Sequence, residues 1–233
     1  RPRMDVRSIA LETLKSRGSV PVFPLPDLVF FPHAALPLHI FEPRYRLMVE
    51  DALRGDRMIA MALLRPGWER GYDGSPDLFP LACAGIIEEE VRLPGGRFNI
   101  RLRGLARVEI RSFLQDSPYR VASVTVLEDR NEQDGPVVEE EKRRLLTFCA
   151  GLLQEISGGA ARPFAPDSGV PFAAAVNTLC QSLIMETGTK MELLGMDDVV
   201  ERCRALVALL EERWREIALI EADRDAPTPS DVH

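Results

Sequence analysis

The sequence predicts an α+β fold in which a compact, partly closed β-barrel is followed by a helical bundle. Two observations predict it. Up to residue 130 the dominant hydrophobic period is two, broken by one internal helix pattern, whereas from residue 136 it is 3.6. The change falls at NEQDGP, residues 131–136, a polar turn-forming stretch that marks the expected boundary. The barrel is therefore expected over 20–130 and the bundle over 136–222.

Residues 1–19 read as a leader, helical or disordered, with Val6, Ile9, Ala10 and Leu14 available for a short apolar face. VPVFPL (20–25) supplies a first strand. FFPHAALPLHIFEPRY (30–45) is apolar but broken by Pro32, Pro37 and Pro43, and is expected to cross the barrel without forming a sticky edge. A helix over 42–55 follows. Pro43 suits its first turn, Gly55 its end, and Tyr45, Met48, Val49 and Ala52 make a face expected to cover a barrel opening.

RMIAMALLR (57–65) and LACAGIIEEEVRL (81–93) read as strands, and LPGGR (93–97) as a hairpin turn. RFNIRLRGLARVEIR (97–111) alternates. Phe98, Ile100, Leu102, Val108 and Ile110 are expected on one face and Arg101, Arg103, Arg107 and Arg111 on the other, with the phase kept across Gly104. YRVASVTVLED (119–129) completes five or six strands.

In the bundle, Val138, Leu145, Leu146, Cys149, Leu152, Leu153 and Ile156 share the inner face of a first helix, ended by Gly158 and Gly159. Glu139 to Arg143 and Glu140 to Arg144 form i, i+4 pairs outside. A loop over 163–172 leads to a second helix marked by Phe172, Val176, Leu179, Cys180 and Leu183, ending at Gly188. Thr189 with Glu192 predicts a capping box for a short third helix, and Asp198 with Glu201 one for a long fourth. The fourth places Val199, Cys203, Leu206, Val207, Leu210, Trp214 and Ile217 inward. The tail 223–233 has few apolar anchors and is expected to be disordered.

Composition narrows the function. A formal charge of −7 with only three lysines disfavours a dedicated nucleic-acid binder. Cys83, Cys149, Cys180 and Cys203 form no C-x-x-C, and no signal segment or membrane span is read, so a cytoplasmic protein with reduced thiols is expected. No phosphate-binding loop, G-x-S-x-G elbow or H-E-x-x-H occurs. His33 and His39 lack a third metal ligand and a nearby nucleophile, and read as structural. Alternation sends Glu88 and Glu90 to one strand face, which reads as solvated in preference to a carboxylate acid/base pair. The expectation is a protein without catalysis, cofactor or metal.

Three stretches resemble the Lon protease N-terminal, or Lon substrate-binding, domain family. They are PVFPLPDLVFFPHAALPLHIFEPRYRLMVEDAL (21–53), GGRFNIRLRGLARVEI (95–110), with Gly104 and Arg107 at the matching places, and the helical 174–211 with Arg202 closing its motif. The resemblance covers about 20–220 and implies a PUA-like barrel followed by a helical bundle. Neither an ATPase module nor a Ser–Lys peptidase follows in this sequence, so a stand-alone member is expected. The resemblance implies binding of unfolded polypeptide, or docking of a specific protein partner. Phe30, Phe31 and Phe41 cannot all point inward from one irregular segment, so these three with Arg44, among the prolines, are the expected peptide contacts. The alternative is an RNA-binding protein that uses the Arg101, Arg103, Arg107, Arg111 face.

Overall fold

The computed structural model describes residues 6–71, 75–131, 135–156 and 169–224. The element order is α1 (Val6–Arg17), β1 (Ser19–Leu25), β2 (Ala35–Ile40), α2 (Pro43–Arg54), β3 (Met58–Leu64), β4 (Leu78–Leu93), β5 (Arg97–Gln115), β6 (Arg120–Val126), α3 (Pro136–Ile156), α4 (Phe172–Ser182), α5 (Thr187–Gly195) and α6 (Val199–Arg224). The expected loop before α4, the glycines after α3 and the tail from 225 lie wholly or largely outside the described residues.

Five strands close a hydrogen-bonded ring in the order β5, β4, β3, β1, β6, with β6 returning to β5. The β1–β3 pair is parallel and the others are antiparallel. At 19 residues β5 is long enough to pair β2 through its first part and β6 through its last. β2 is thus an edge strand outside the ring.

Residues from all five ring strands meet in one cluster, including Val20, Val22, Ala60, Ala62, Ala82, Ala84, Leu105, Val108, Ala122 and Val124. This is the barrel interior, and its small side chains fit a narrow ring. Ala10 and Leu14 of α1 belong to it, so α1 closes the barrel, while Ile9 remains half exposed. The expectation that α2 covers the opening is corrected. Tyr45, Met48, Val49 and Ala52 pack instead with Phe23, Ile59 and Met61 on the outer side of β1 and β3. That outer cluster continues through Phe30, Phe31 and Cys83 into Val138, Leu145, Phe172, Val176, Leu194 and Leu206 of the helical half. One apolar layer therefore fixes the helices against the barrel wall.

The phase of β5 is not kept, and this relocates an arginine. Ala84 pairs with Ala106 but the next residue, Gly85, pairs with Gly104, which leaves Leu105 as an extra residue. A one-residue bulge exchanges the two faces of a strand. Before it, Phe98, Ile100 and Leu102 face the helices; after it, Arg107 does, while Val108 enters the barrel. A second shift, between Ile87 and Glu89, separates the acidic run. Glu88 pairs with Arg103 and Glu90 with Arg57, so these two carboxylates do not form a shared site.

The helix termini need smaller corrections. α4 ends at Ser182, since Leu183 is already extended, and α5 begins at Thr187 without a Thr189 side-chain cap. The Asp198 cap is present, its Oδ1 accepting from the N–H groups of Val200 at 2.9 Å and Glu201 at 3.4 Å. On α3 the ion pair is Glu140 with Arg143, one residue closer than expected.

Candidate functional site

The first part of the apolar stretch after β1, residues 30–34, is clamped, and neither of its phenylalanines is exposed. Phe30 and Phe31 are in the core. A Cβ on Gly104 would lie 2.1 Å from the Phe31 carbonyl oxygen, and one on Gly85 2.9 Å from the Phe30 ring. Two glycines thus let this segment press onto the barrel wall. The Phe31 N–H donates to Gln181 Oε1 of α4 at 3.1 Å, and the His33 N–H to the Gly104 carbonyl at 2.8 Å. His33 takes a φ of +65°, which turns the chain into β2.

Arg107 is also in the core, with Arg202 of α6, and Asp129 bridges them. Arg107 Nε donates to Asp129 Oδ1 at 2.5 Å, and Arg202 Nη1 to Asp129 Oδ2 at 3.2 Å. Arg107 also pairs with Asp197 at 3.0 Å and donates to the carbonyls of Leu194 and Glu128. Arg202 is satisfied further by the Leu193 and Met196 carbonyls and by Asn177 Oδ1. Both side chains are almost wholly buried, so neither meets a ligand at the surface. Buried guanidinium groups need this saturation of carboxylate and carbonyl partners. The network ties the barrel to the helical half.

Three of the expected site residues, Phe41, Arg101 and Arg103, share one accessible sheet face. β2, β5 and the end of β4 form a three-stranded ribbon that runs past the barrel rim. Across it, His39 pairs with Asn99 and Asn99 with Val91; one step along, Pro37 pairs with Arg101 and Arg101 with Glu89. The opposite face buries Ile40, Phe98 and Ile100. The open face presents Phe41, 61% exposed and stacked on His39 with ring centroids 6.0 Å apart, and two strands across, on β4, the exposed Val91. His39 Nδ1 and Asn99 Oδ1 are 2.7 Å apart.

Arg101 and Arg103 are on this face too, and both carry carboxylate partners. Arg101 Nη2 is 2.6 Å from Glu89, and Arg103 Nε is 3.1 Å from Glu88. The expected four-arginine stripe is therefore corrected. Two arginines lie together here, Arg107 is buried, and Arg111 pairs with Glu109 farther along β5 beyond the bulge. Arg44 lies elsewhere, bonded to Glu42 and set over the Tyr45 ring, beside a small cleft with Tyr119 and Arg120. There burial, reinforced by the hydrogen bond to Asp51, pushes the Tyr119 hydroxyl up to about 12.

The free edge of β2 limits how a ligand can bind. The Gly104 N–H donates to the Ala34 carbonyl, so Ala34 points its backbone at β5. Alternation then directs residues 36, 38 and 40 to β5 and residues 35, 37 and 39 to the open edge. Pro37 has no N–H to offer at the middle of that edge. Added strands find a broken ladder, and contacts to this ribbon rest on side chains.

Among the described residues no group of three or more His, Cys, Asp or Glu is placed to hold a metal ion, and no helix is long and apolar enough to cross a membrane. Burial raises the thiols of Cys83, Cys180 and Cys203, the last two to about 12, which suppresses nucleophilic thiolate.

The family model for the ATP-dependent protease La (LON) substrate-binding domain matches residues 19–212. The chain is 26% identical over 224 residues to a Lon protease of Parabacteroides distasonis, covering 92% of this chain and 26% of that protein. It is 28% identical over 210 residues to a Lon protease of Dictyoglomus thermophilum, covering 87% of this chain and 25% of that one. A solved Lon N-terminal domain protein from Xanthomonas campestris superposes with a TM-score of 0.58 at 25% identity, over 82% of this chain and 97% of that chain. The N-terminal domain of a Mycobacterium avium complex Lon protease gives the same TM-score at 17% identity, over 82% of this chain and 96% of that chain, and shares the fold.

Proposed function

The chain belongs to the Lon substrate-binding domain family, and on that premise we propose that it is a non-catalytic polypeptide-binding module. It binds exposed apolar segments of unfolded protein, as an adaptor in protein quality control, on the open face of the β2–β5–β4 ribbon. Phe41, exposed and stacked on His39, is the observation that carries the reading. An apolar residue of the ligand sits against Phe41, and its polar backbone meets the Glu88, Glu89, Arg101 and Arg103 side chains.

The energetics fit a scanning role. Burying what Phe41 still exposes contributes about 1–2 kcal/mol. With Val91 as a second anchor, affinity for one segment stays about micromolar at its tightest once association entropy is lost. The ribbon arginines favour this reading over RNA binding, since a phosphate must compete with carboxylates already in place.

The test is fluorescence anisotropy of a labelled, permanently unfolded polypeptide at low and high salt, beside a folded control and a short single-stranded RNA. Saturable binding of the unfolded chain should survive salt and weaken about five- to thirtyfold in Phe41→Ala. Binding of RNA alone, lost as salt rises, would instead assign the face to nucleic acid. Unchanged affinity in Phe41→Ala would remove the ribbon as the site.

A further inference from the structure

The helical half carries a second apolar surface, far in sequence from the ribbon and unused by the function proposed above. After α4 the chain runs extended through Leu183–Met185. Leu183 and Met185 turn inward, and Ile184 is left 86% exposed, more than any other large apolar side chain described. Arg213 of α6 donates to the Ile184 carbonyl and so holds this knob in place. Between the extended link and α6 is a groove of about 180 Å³ whose apolar floor is Leu183, Met185, Leu209 and Leu210.

The groove is lined by three carboxylates against one cation, Arg213, so its rim is acidic on balance. Glu186 stands at the start of α5, and Glu212 and Glu216 lie one turn apart on α6. Glu212 and Glu216 follow Leu209 at i+3 and i+7, on one stripe of the helix. Of the nearby cations, Arg213 is bonded to the Ile184 carbonyl and Arg215 pairs with Glu211 at 3.6 Å. A row of carboxylates beside an apolar trough is the complement of an amphipathic helix whose apolar stripe is flanked by lysine or arginine. The straight wall supplied by α6 suits ridge-in-groove packing by a helix, and Met185 can adapt to its side chains.

We infer that the groove between the Leu183–Met185 link and α6 docks a cationic amphipathic helix of a partner protein, with Leu183, Met185, Leu209 and Leu210 as the apolar floor, the exposed Ile184 as an added apolar contact outside it, and Glu186, Glu212 and Glu216 as the charged rim. This site is independent of the Phe41 ribbon, so the protein holds a partner and an unfolded segment on different surfaces.

The experiment titrates the full chain into a labelled synthetic peptide of about 18 residues, five helical turns, built from leucine and lysine at amphipathic spacing. Two controls are a peptide of the same composition with its spacing scrambled and one with glutamate replacing lysine. The amphipathic leucine–lysine peptide should bind saturably and gain helical circular dichroism, and both controls should bind at least about tenfold more weakly. Ile184→Ser should weaken binding about fivefold or more, and Glu212→Gln with Glu216→Gln should weaken it and flatten its salt dependence.

Because the whole protein is acidic, Glu12→Gln with Glu139→Gln serves as a control that removes the same charge elsewhere; it should leave binding unchanged. Phe41→Ala should leave peptide binding unchanged too, which separates failure of this site from failure of the ribbon. All substituted side chains are exposed, and unaltered melting verifies that the variants fold. Equal binding of the scrambled peptide, equal loss in the Glu12/Glu139 control, or full affinity in Ile184→Ser would each overturn the inference.

Discussion

Asp129→Ala should be the most damaging single change to the acidic residues of this protein. Its carboxylate is 2.5 Å from Arg107 Nε and 3.2 Å from Arg202 Nη1, and both arginines are almost completely buried. Arg107 keeps Asp197, whose side chain is largely exposed, but Asp129 is the one carboxylate paired with Arg202 among the described residues. Removing one member of a buried pair costs about 3–5 kcal/mol because the other charge is left uncompensated. The rim of Asp129 is itself slightly exposed and admits some water, which places the expected loss near the lower end, about 3 kcal/mol. For a chain of this size that lowers Tm by about 6–12 °C.

Urea unfolding and calorimetry would read the loss. A cycle with Arg202→Met identifies its origin, since the doubly substituted protein no longer buries an unpaired guanidinium at that position. The double variant should then be more stable than the summed losses predict by at least about 1 kcal/mol. A loss under about 1 kcal/mol for Asp129→Ala, or strict additivity in the cycle, would refute the argument that this carboxylate locks the barrel to the helices.

Three further outcomes follow from the same geometry. Gly104→Ala should cost several kcal/mol, about the scale of a severe overpacking change, because its Cβ meets backbone atoms of Phe31 and Pro32 that cannot rotate away; equilibrium unfolding checks it. At the start of α6, burial alone would raise the Asp198 carboxyl, but the Asn131 hydrogen bond, the Val200 and Glu201 N–H groups and Arg130 outweigh it and hold the group below the usual carboxylate range. Its stabilisation is therefore present above the unfolded-state value of about 4 and is lost as pH falls through the lower folded value. The roughly 1 kcal/mol penalty expected for Asp198→Ala should accordingly shrink in acid melts. In maleimide labelling of the native protein, the half-buried Cys149 should react first, with Cys83, Cys180 and Cys203 protected until the chain unfolds.

The strands, the proline-led α2 and the Asp198 cap were legible because each depends on neighbours in sequence. The bulge at Leu105 was less so. A single added residue leaves the surrounding alternation intact on both sides, and its trace is the apolar run Leu105–Ala106 beside Gly104. Read as an unbroken strand, the segment puts Arg107 with Arg101 and Arg103; with the bulge, Arg107 moves to the helix-facing side. The burial of Phe30 and Phe31 is a tertiary effect as well. Prolines in that stretch suggested an irregular, accessible chain, and what closes it is the missing Cβ of Gly85 and Gly104, remote residues on β4 and β5. Asp129 carried no local signal, since its partners are 22 and 73 residues away.

This division bears on where specificity resides. Gly104, Arg107 and Arg202 are positions that carried the family resemblance, and each is now seen holding the barrel, the Phe31 segment and the helices together. They report the fold, because a substitution at any of them is felt throughout a packed layer. A ligand meets none of them. Phe41, Val91 and Ile184 are exposed and contribute little to that layer, so they are free to vary without loss of the fold. It follows that membership of the family does not by itself transfer a ligand. Exchanging the Phe41 and Ile184 surfaces separately should alter unfolded-chain binding and helix docking one at a time while the melting temperature stays fixed. If either exchange lowered stability as much as Asp129→Ala, the surface concerned would be part of the scaffold and its assignment as a binding face would fail.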